Sequence, residues 1–382
     1  PVINTRSFSS DVTVVKRIGV SYIKGLQSGK CIAVAKHFPG HGDTNKDSHL
    51  TLPVIDYTLE RLRKLELVPF SYAVNNGVEG VMTAHISYPK VLKNNEPATL
   101  SKFFLTDILR KEMRFSGIII TDDMEMKAIA NEIKIEKAAV KTFAAGADII
   151  LLSTAGRKIN KIFIAIKSAI KSGKISMKRL DNSVKRLLEL KIRYNIMDIV
   201  KNKIVISKLK YSKDDISLLK ESDKINKEIT RKGLLYHGDK SILLQKKYTR
   251  AVISKNKQFR KLAERDFKHV HTSIFGFINN YSKKKNENVL VYYHIENKNV
   301  NEIPSIISIA EKSKFKVILI STGNPFKLTK FDPEVPILYS FSNTFESLNQ
   351  VKNCIAGKFL PKFNAPLDLG FKEKKKKKNK KK

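Results

Sequence analysis

The stretch Lys36-His37-Phe38-Pro39-Gly40-His41-Gly42-Asp43-Thr44-Asn45-Lys46-Asp47-Ser48-His49 gathers histidines, aspartates and lysines around two glycines and a proline. That mix precludes a regular helix or strand. Directly before it lies Cys31-Ile32-Ala33-Val34-Ala35, an apolar run that reads as a buried parallel strand. Ionisable residues on a loop leaving the C-terminal end of such a strand are where α/β folds carry out chemistry. The stretch sets the fold class and marks the place to look for a site.

On the N-terminal side, Val12, Val15, Ile18, Tyr22 and Leu26 recur at helical spacing, which predicts a helix over residues 10–27. On the C-terminal side a helix is expected over 58–74, then a strand at 80–84 that ends at His85. A helix over 101–111 leads to the strand 117–121, which ends at Asp122-Asp123. A further helix runs to Ala145-Gly146, where the glycine suits a C-terminal cap. The strand 148–152 and two helices to about Tyr194 follow. This alternation implies a parallel sheet, either closed into a barrel or left open, with fewer strands than the eight of a closed one. A second α/β pattern begins beyond the basic segment 201–213, with strands near 289–293, 316–321 and 336–339 and helices starting near Glu302 and Asn343.

The 382 residues suffice for two cored domains. Lysine and arginine number 73 against 36 acidic residues, a formal net charge of +37. Nine lysines and one glutamate lie in the tail 372–382, which lacks the apolar content to fold. The rest reads as solvated basic faces, with attraction to a polyanion or an anionic envelope as the sharper alternative. No zinc-finger spacing, aromatic RNA-binding strand or arginine-rich helix is present, so specific nucleic-acid binding is not expected. Cys31 and Cys354 are far apart and suggest neither a disulfide framework nor a metal knuckle. No apolar run is long enough to cross a bilayer. The chain opens at Pro1 without a methionine, within what reads as a folded unit, so a longer protein is expected.

In a parallel barrel the strand-end groups Lys36-His37, His85 and Asp122-Asp123 share one rim. An aspartate there can attack an electrophilic carbon and form an ester. Asp47-Ser48-His49 offers the accompanying proton donor: a carboxylate meeting the ring raises the basicity of the imidazole. Other readings stay open. His37, His41, Asp43, Asp47 and His49 are of metal-ligating type, although they lack a helical His-x-x-x-His spacing. One of Asp122 and Asp123 suits a helix cap, His85 suits a satisfied core position, and Lys36 suits an ion pair. Asp148 reads as a turn-fixing residue.

At these residues the chain resembles glycoside hydrolase family 3, in its β-N-acetylglucosaminidase (NagZ-like) branch. The resemblance is carried by Lys36-His37-Phe38-Pro39-Gly40-His41-Gly42 and Asp47-Ser48-His49. Thr5-Arg6-Ser7-Phe8, Val81-Met82-Thr83-Ala84-His85, Thr121-Asp122-Asp123-Met124 and Met126-Lys127 add to it. It covers about the first 200 residues; Gly323-Asn324-Pro325-Phe326 and residues 357–360 resemble the second domain of two-domain members more loosely. The resemblance implies residues 1–200 as the C-terminal part of a TIM-type β/α barrel lacking its first units. Residues 201–215 are then a linker, 216–371 an αβα sandwich and 372–382 a disordered tail.

The resemblance also implies roles. Asp122 matches the nucleophile, His49 the general acid/base and Asp47 its dyad partner. Arg6, Lys36 and His37 match sugar-binding residues, and His85 is taken as a substrate-binding candidate from its place on the rim. The implied activity is a retaining β-N-acetylhexosaminidase that releases terminal β-linked GlcNAc from peptidoglycan-derived fragments, with no metal and no cofactor. The expected partner is the carbohydrate substrate, bound by a monomer. Two other functions are carried: an inactive relic that binds a polyanion or cell wall, and a metal-dependent hydrolase. A two-domain form with a basic surface favours the exported or cell-envelope location over the cytoplasm.

Overall fold

The computed structural model describes residues 6–44, 51–154, 156, 158–200, 203–206, 213–281, 288–296, 298–324, 328 and 335–364. The chain forms two compact units, Pro1–Lys210 and Tyr211–Lys382.

In the first unit, helix α1 (Val12–Ser28) starts at Asp11, whose carboxylate accepts from Thr13 N at 2.6 Å. Such a cap satisfies backbone donors that the first helical turn leaves free. Of the expected stripe, Val12, Val15 and Leu26 are half-buried, with Leu26 against the core, while Ile18 and Tyr22 are exposed and Val20 and Ile23 are buried. The helix end also shifts the following strand. Cys31 N bonds back to Leu26 O, so Cys31 still belongs to the helix terminus and is exposed. Strand β1 therefore runs Val34–Phe38 rather than 31–35. It is only half-buried, with Val34 40% exposed, and takes Lys36 and His37 into the strand itself.

The helix expected over 58–74 is two, α2 (Leu59–Lys64) and α3 (Val68–Asn75). Pro69 lacks the N–H that would continue the first and sits in the opening turn of the second. Strand β2 (Gly80–Thr83) follows, then the single turn α4 (Pro89–Leu92). A wide-turned helix over Phe103–Glu112 leads to β3 (Ile118–Ile120) and the short turn α5 (Lys127–Ala130). Helices α6 (Ile135–Ala145), α7 (Lys158–Lys171) and α8 (Met177–Arg193) complete the alternation. The sheet order is β1-β2-β3, all parallel. The segment expected as a strand at 148–152 joins it only through a parallel bridge between Ile149 and Ile120. Among the described residues no further strand lies beyond it to extend the ladder. The core between sheet and helices is built on Phe38, Leu62, Val81, Tyr88, Phe104 and Ile119.

Asp148 does more than fix a turn. Its side chain is fully buried and accepts from Ile119 N, Ser183 Oγ and the guanidinium of Arg110, with Arg186 Nη1 at 3.1 Å and Arg179 Nη1 at 3.6 Å. Burial lowers the Arg110 guanidinium to about 10, opposed by the Asp148 carboxylate. The cluster ties β3, the Phe103–Glu112 helix and α8 together.

The segment 201–215, expected as a linker, contains strand β5 (Lys203–Ile206), antiparallel to β4 (Met197–Val200), and the first turn of helix α9 (Lys213–Lys232). In the second unit β6 (Leu235–His237), β7 (Thr249–Ile253) and β8 (His269–His271) precede the expected strands, here β9 (Val289–Ile295), β10 (Lys316–Thr322) and β11 (Ile337–Ser340). With β12 (Phe363–Asn364) the order is β12-β6-β11-β10-β9-β7-β8, parallel except for β6 against β11. Helices α10 (Lys257–Ala263), α11 (Ile274–Tyr281), α12 (Ile303–Ser313) and α13 (Phe345–Ile355) connect the strands. Val289, Val291, Tyr293 and Ile295 join one core and Leu290 and Tyr292 the other. That two-residue alternation with both faces buried makes an αβα sandwich. The lysine tail 372–382 lies outside the described residues.

Candidate active site

Between Ala35 and Phe38 the pairing of β1 with β2 slips, with three steps on β1 against two on β2. The extra residue falls at Lys36-His37, where a bulge re-aims side chains toward the strand end. The peptides Lys36–His37 and Phe38–Pro39 are cis. Beyond them Gly40 has φ +147, and a Cβ there would lie 2.9 Å from Glu66 Cβ, so the position requires glycine. Its carbonyl accepts the Tyr88 hydroxyl at 2.6 Å. His41 Nδ1 meets Thr44 Oγ1 at 2.8 Å, and the Tyr57 hydroxyl donates to Asp43.

At the tip of β3 the two aspartates divide. Asp123 Oδ1 accepts from Glu125 N at 3.0 Å and Ser153 N at 3.2 Å and holds the turn. Asp122 accepts from Asp123 N through Oδ1, and its Oδ2 lies 3.8 Å from His37 Nε2. The Asp122 carboxylate is 18% exposed, enough for one face to remain open to a ligand.

Burial pulls the His37 imidazole down to about 4, with Asp122 opposing and Lys36, His41 and Arg6 reinforcing. Arg6 and Lys36 are thus near enough to act on His37 by charge, and the His41 ring centroid is 5.6 Å from that of His37. A histidine whose pKa falls on folding stays neutral where the unfolded ring protonates. Its stabilising contribution is complete above pH 6.5 and is lost as pH falls through about 4. The expected result of an NMR titration is a His37 ring still neutral at pH 5, with stability to urea declining from pH 6.5 toward 4. A ring that protonates near 6.5 would contradict this environment.

His85 is fully buried. Its Nε2 donates to Asp123 O at 2.9 Å, and its Nδ1 lies 2.9 Å from Thr99 Oγ1. Burial lowers its pKa, so the ring is neutral and the Nδ1 lone pair competes with Ala84 O for the one Thr99 proton. Thr83 Oγ1 at 2.9 Å from Thr99 Oγ1 supplies or takes the next bond in the chain. These bonds place His85 where it supports the backbone beside Asp122. Thr99 had no signal in the sequence, since its place beside His85 comes from a short 3-10 turn at Ala98–Leu100.

Structure thus brings together Asp122, His37, Lys36 and Arg6, with His85 behind them. Asp47 and His49 lie outside the described residues. Among the described residues no three His, Cys, Asp or Glu side chains converge as a metal site requires.

The sequence profile described as "Glycosyl hydrolase family 3 N terminal domain" matches residues 1–190. Beta-hexosaminidase A of Pseudoalteromonas piscicida is 34% identical over 210 residues, which are 50% of this chain and 35% of that protein. The Beta-hexosaminidase of Neisseria meningitidis serogroup C is 39% identical over 152 residues, 40% of this chain and 42% of that protein. The chain thus spans less than half the length of these curated relatives. The solved glycoside hydrolase family 3 beta-N-acetylglucosaminidase from Paenibacillus sp. str. FPU-7 superposes with a TM-score of 0.76 at 29% identity, over 94% of this chain and 72% of that one. In this likeness the first unit corresponds to part of a TIM-type barrel and the second to an accompanying sheet domain. With the motif residues clustered at the strand tips and the profile covering the first unit, the chain belongs to glycosyl hydrolase family 3.

Proposed function

We propose that this protein is a retaining β-N-acetylhexosaminidase that removes terminal β-linked GlcNAc from peptidoglycan-derived fragments. The observation that carries the reading is the Asp122 carboxylate at a strand tip, part-open and facing a neutral His37 with two cations near. The hexosaminidase relatives supply the substrate class.

In the first step an Asp122 oxygen attacks the anomeric carbon, the bond to the leaving oxygen breaks, and His49 gives that oxygen its proton. Asp47 orients the His49 ring and stabilises its charged form. In the second step water attacks the same carbon and the ester bond to Asp122 breaks. The proton of the water returns to His49, and the released sugar keeps the β configuration. Neutral His37 exchanges hydrogen bonds with sugar hydroxyls, while Lys36 and Arg6 donate only. The chain Thr83–Thr99–His85 holds the Asp122-Asp123 backbone so that the nucleophile does not drift.

The test is to follow a chromogenic β-GlcNAc glycoside by proton NMR during turnover. First release of the β-anomer of GlcNAc supports the reading; first release of the α-anomer, or no turnover by the full-length protein, overturns it. As a positioning residue, Thr99 has its own expected result. Thr99→Val removes a buried hydroxyl and costs about 1–3 kcal/mol of stability. It lowers kcat more than it raises KM, whereas Thr99→Ser retains both.

A further inference from the structure

Helix α9 carries Lys224, Lys227, Glu228 and Arg231 at i, i+3, i+4 and i+7, one face of two helical turns. That face and α13 line a groove of about 440 Å³, with Gln350, Asn353, Lys358 and Phe359 on the opposite side. Charge in the groove is unevenly used. Glu228 is held by Lys232, and Lys358 is paired with Asp266 at 3.0 Å. Among the described residues Lys224, Lys227 and Arg231 have no hydrogen-bond or ion-pair partner. Glu228 lies in the same groove and feels the charge of Lys224, so three cations share the groove with one carboxylate that Lys232 already holds.

Arg231 is also preorganised. Its guanidinium lies over the Phe359 ring, 4.6 Å from the centroid. Contact with an aromatic face restrains the guanidinium, a group that can receive a carboxylate or phosphate through two parallel bonds. Lys224 and Lys227 lie roughly 10 and 6 Å along the helix axis from Arg231, at 1.5 Å per residue. An extended chain carrying repeated negative charges fits that line; a single small anion would use only one end of it.

The choice among polyanions follows from the aromatic content. Single-stranded nucleic acid binds by stacking bases on open aromatic faces, and here Arg231 already covers one face of Phe359, the groove's aromatic residue. A duplex is read by a broad phosphate-tracking surface rather than by a groove between two helices. We propose that the α9–α13 groove docks a carboxylate-bearing glycan chain, with Arg231 taking a carboxylate and Lys224 and Lys227 its neighbours. The preference for a polyanion rests on the groove alone; the preference for a glycan rests on the hexosaminidase reading.

The experiment measures binding of a fluorescent hyaluronate octasaccharide to the full-length protein, beside a neutral chitin octasaccharide and a single-stranded oligonucleotide of equal charge. The hyaluronate probe is expected to bind in a salt-sensitive way, the neutral one not. The variant Lys224→Gln/Lys227→Gln/Arg231→Gln is expected to bind about tenfold more weakly or worse, and Arg231→Lys several-fold more weakly because the charge stays but the fork is lost. All three positions are exposed, and unchanged circular dichroism establishes that the variants fold. Equal binding of the neutral chain, or undiminished binding by the triple variant, overturns the proposal. Tighter binding of the oligonucleotide than of hyaluronate at the same groove overturns the glycan assignment. Turnover of a small chromogenic β-GlcNAc substrate by the triple variant is expected to match the unaltered protein. Absence of turnover in both sinks the hexosaminidase reading without touching the binding result.

Discussion

Replacing Asp122 by Asn is expected to lower kcat on a chromogenic β-GlcNAc substrate by about four orders of magnitude or more, while substrate still binds. An amide keeps the size of the carboxylate and the bond from Asp123 N, but it cannot form the ester on which the double displacement depends. Asp123→Asn provides the contrast. Its Oδ1 holds the Glu125 and Ser153 amides, a service an amide oxygen also performs, so turnover should fall by only about tenfold. In Asp122→Ala, added azide should restore turnover as an α-glycosyl azide, because the azide then attacks from the vacated side. Comparable activity in Asp122→Asn and the unaltered protein would falsify the assignment of the nucleophile.

The second large effect concerns stability. Asp148→Ala is expected to lower the unfolding free energy by about 3–5 kcal/mol, read as a shift in the urea midpoint. The carboxylate is fully buried, and its loss leaves Arg110, with Arg179 and Arg186 beside it, near one another without the anion that balances them. Arg110 is only 12% exposed, so water cannot compensate in full. Asp148→Asn keeps the acceptor for Ile119 N and should cost less than Ala, though more than a surface change. If the Ala variant unfolds at the same urea concentration as the unaltered protein, the cluster is not what secures the Phe103–Glu112 helix and α8 to the sheet.

Much of the site could be read from residue types and order. Asp122 follows an apolar strand, and glycine at 40 signals a turn that no Cβ can enter. These features depend on neighbours in the chain, which is why pattern reading finds them. The failures share a different cause. The strand at 31–35 slid to Val34–Phe38 because a helix terminus reached across to Cys31, a matter of which carbonyl happens to be within range. On α1 the apolar residues are spread widely enough that only packing selects Val20 and Ile23 for full burial and leaves Ile18 and Tyr22 exposed. Strands β6 to β8 are short, and their half-polar composition gives no clear period.

Residue order alone was sufficient to assign the family and the parallel βα plan, since each rests on local motif and periodicity. Only the folded arrangement could bond Asp123 into the turn, set Asp122 beside His37, hold His37 neutral, and tie both His85 nitrogens to Asp123 and Thr99. Those outcomes depend on burial and on charges brought close from distant parts of the chain, and both are sums over three-dimensional neighbours that no linear spacing encodes.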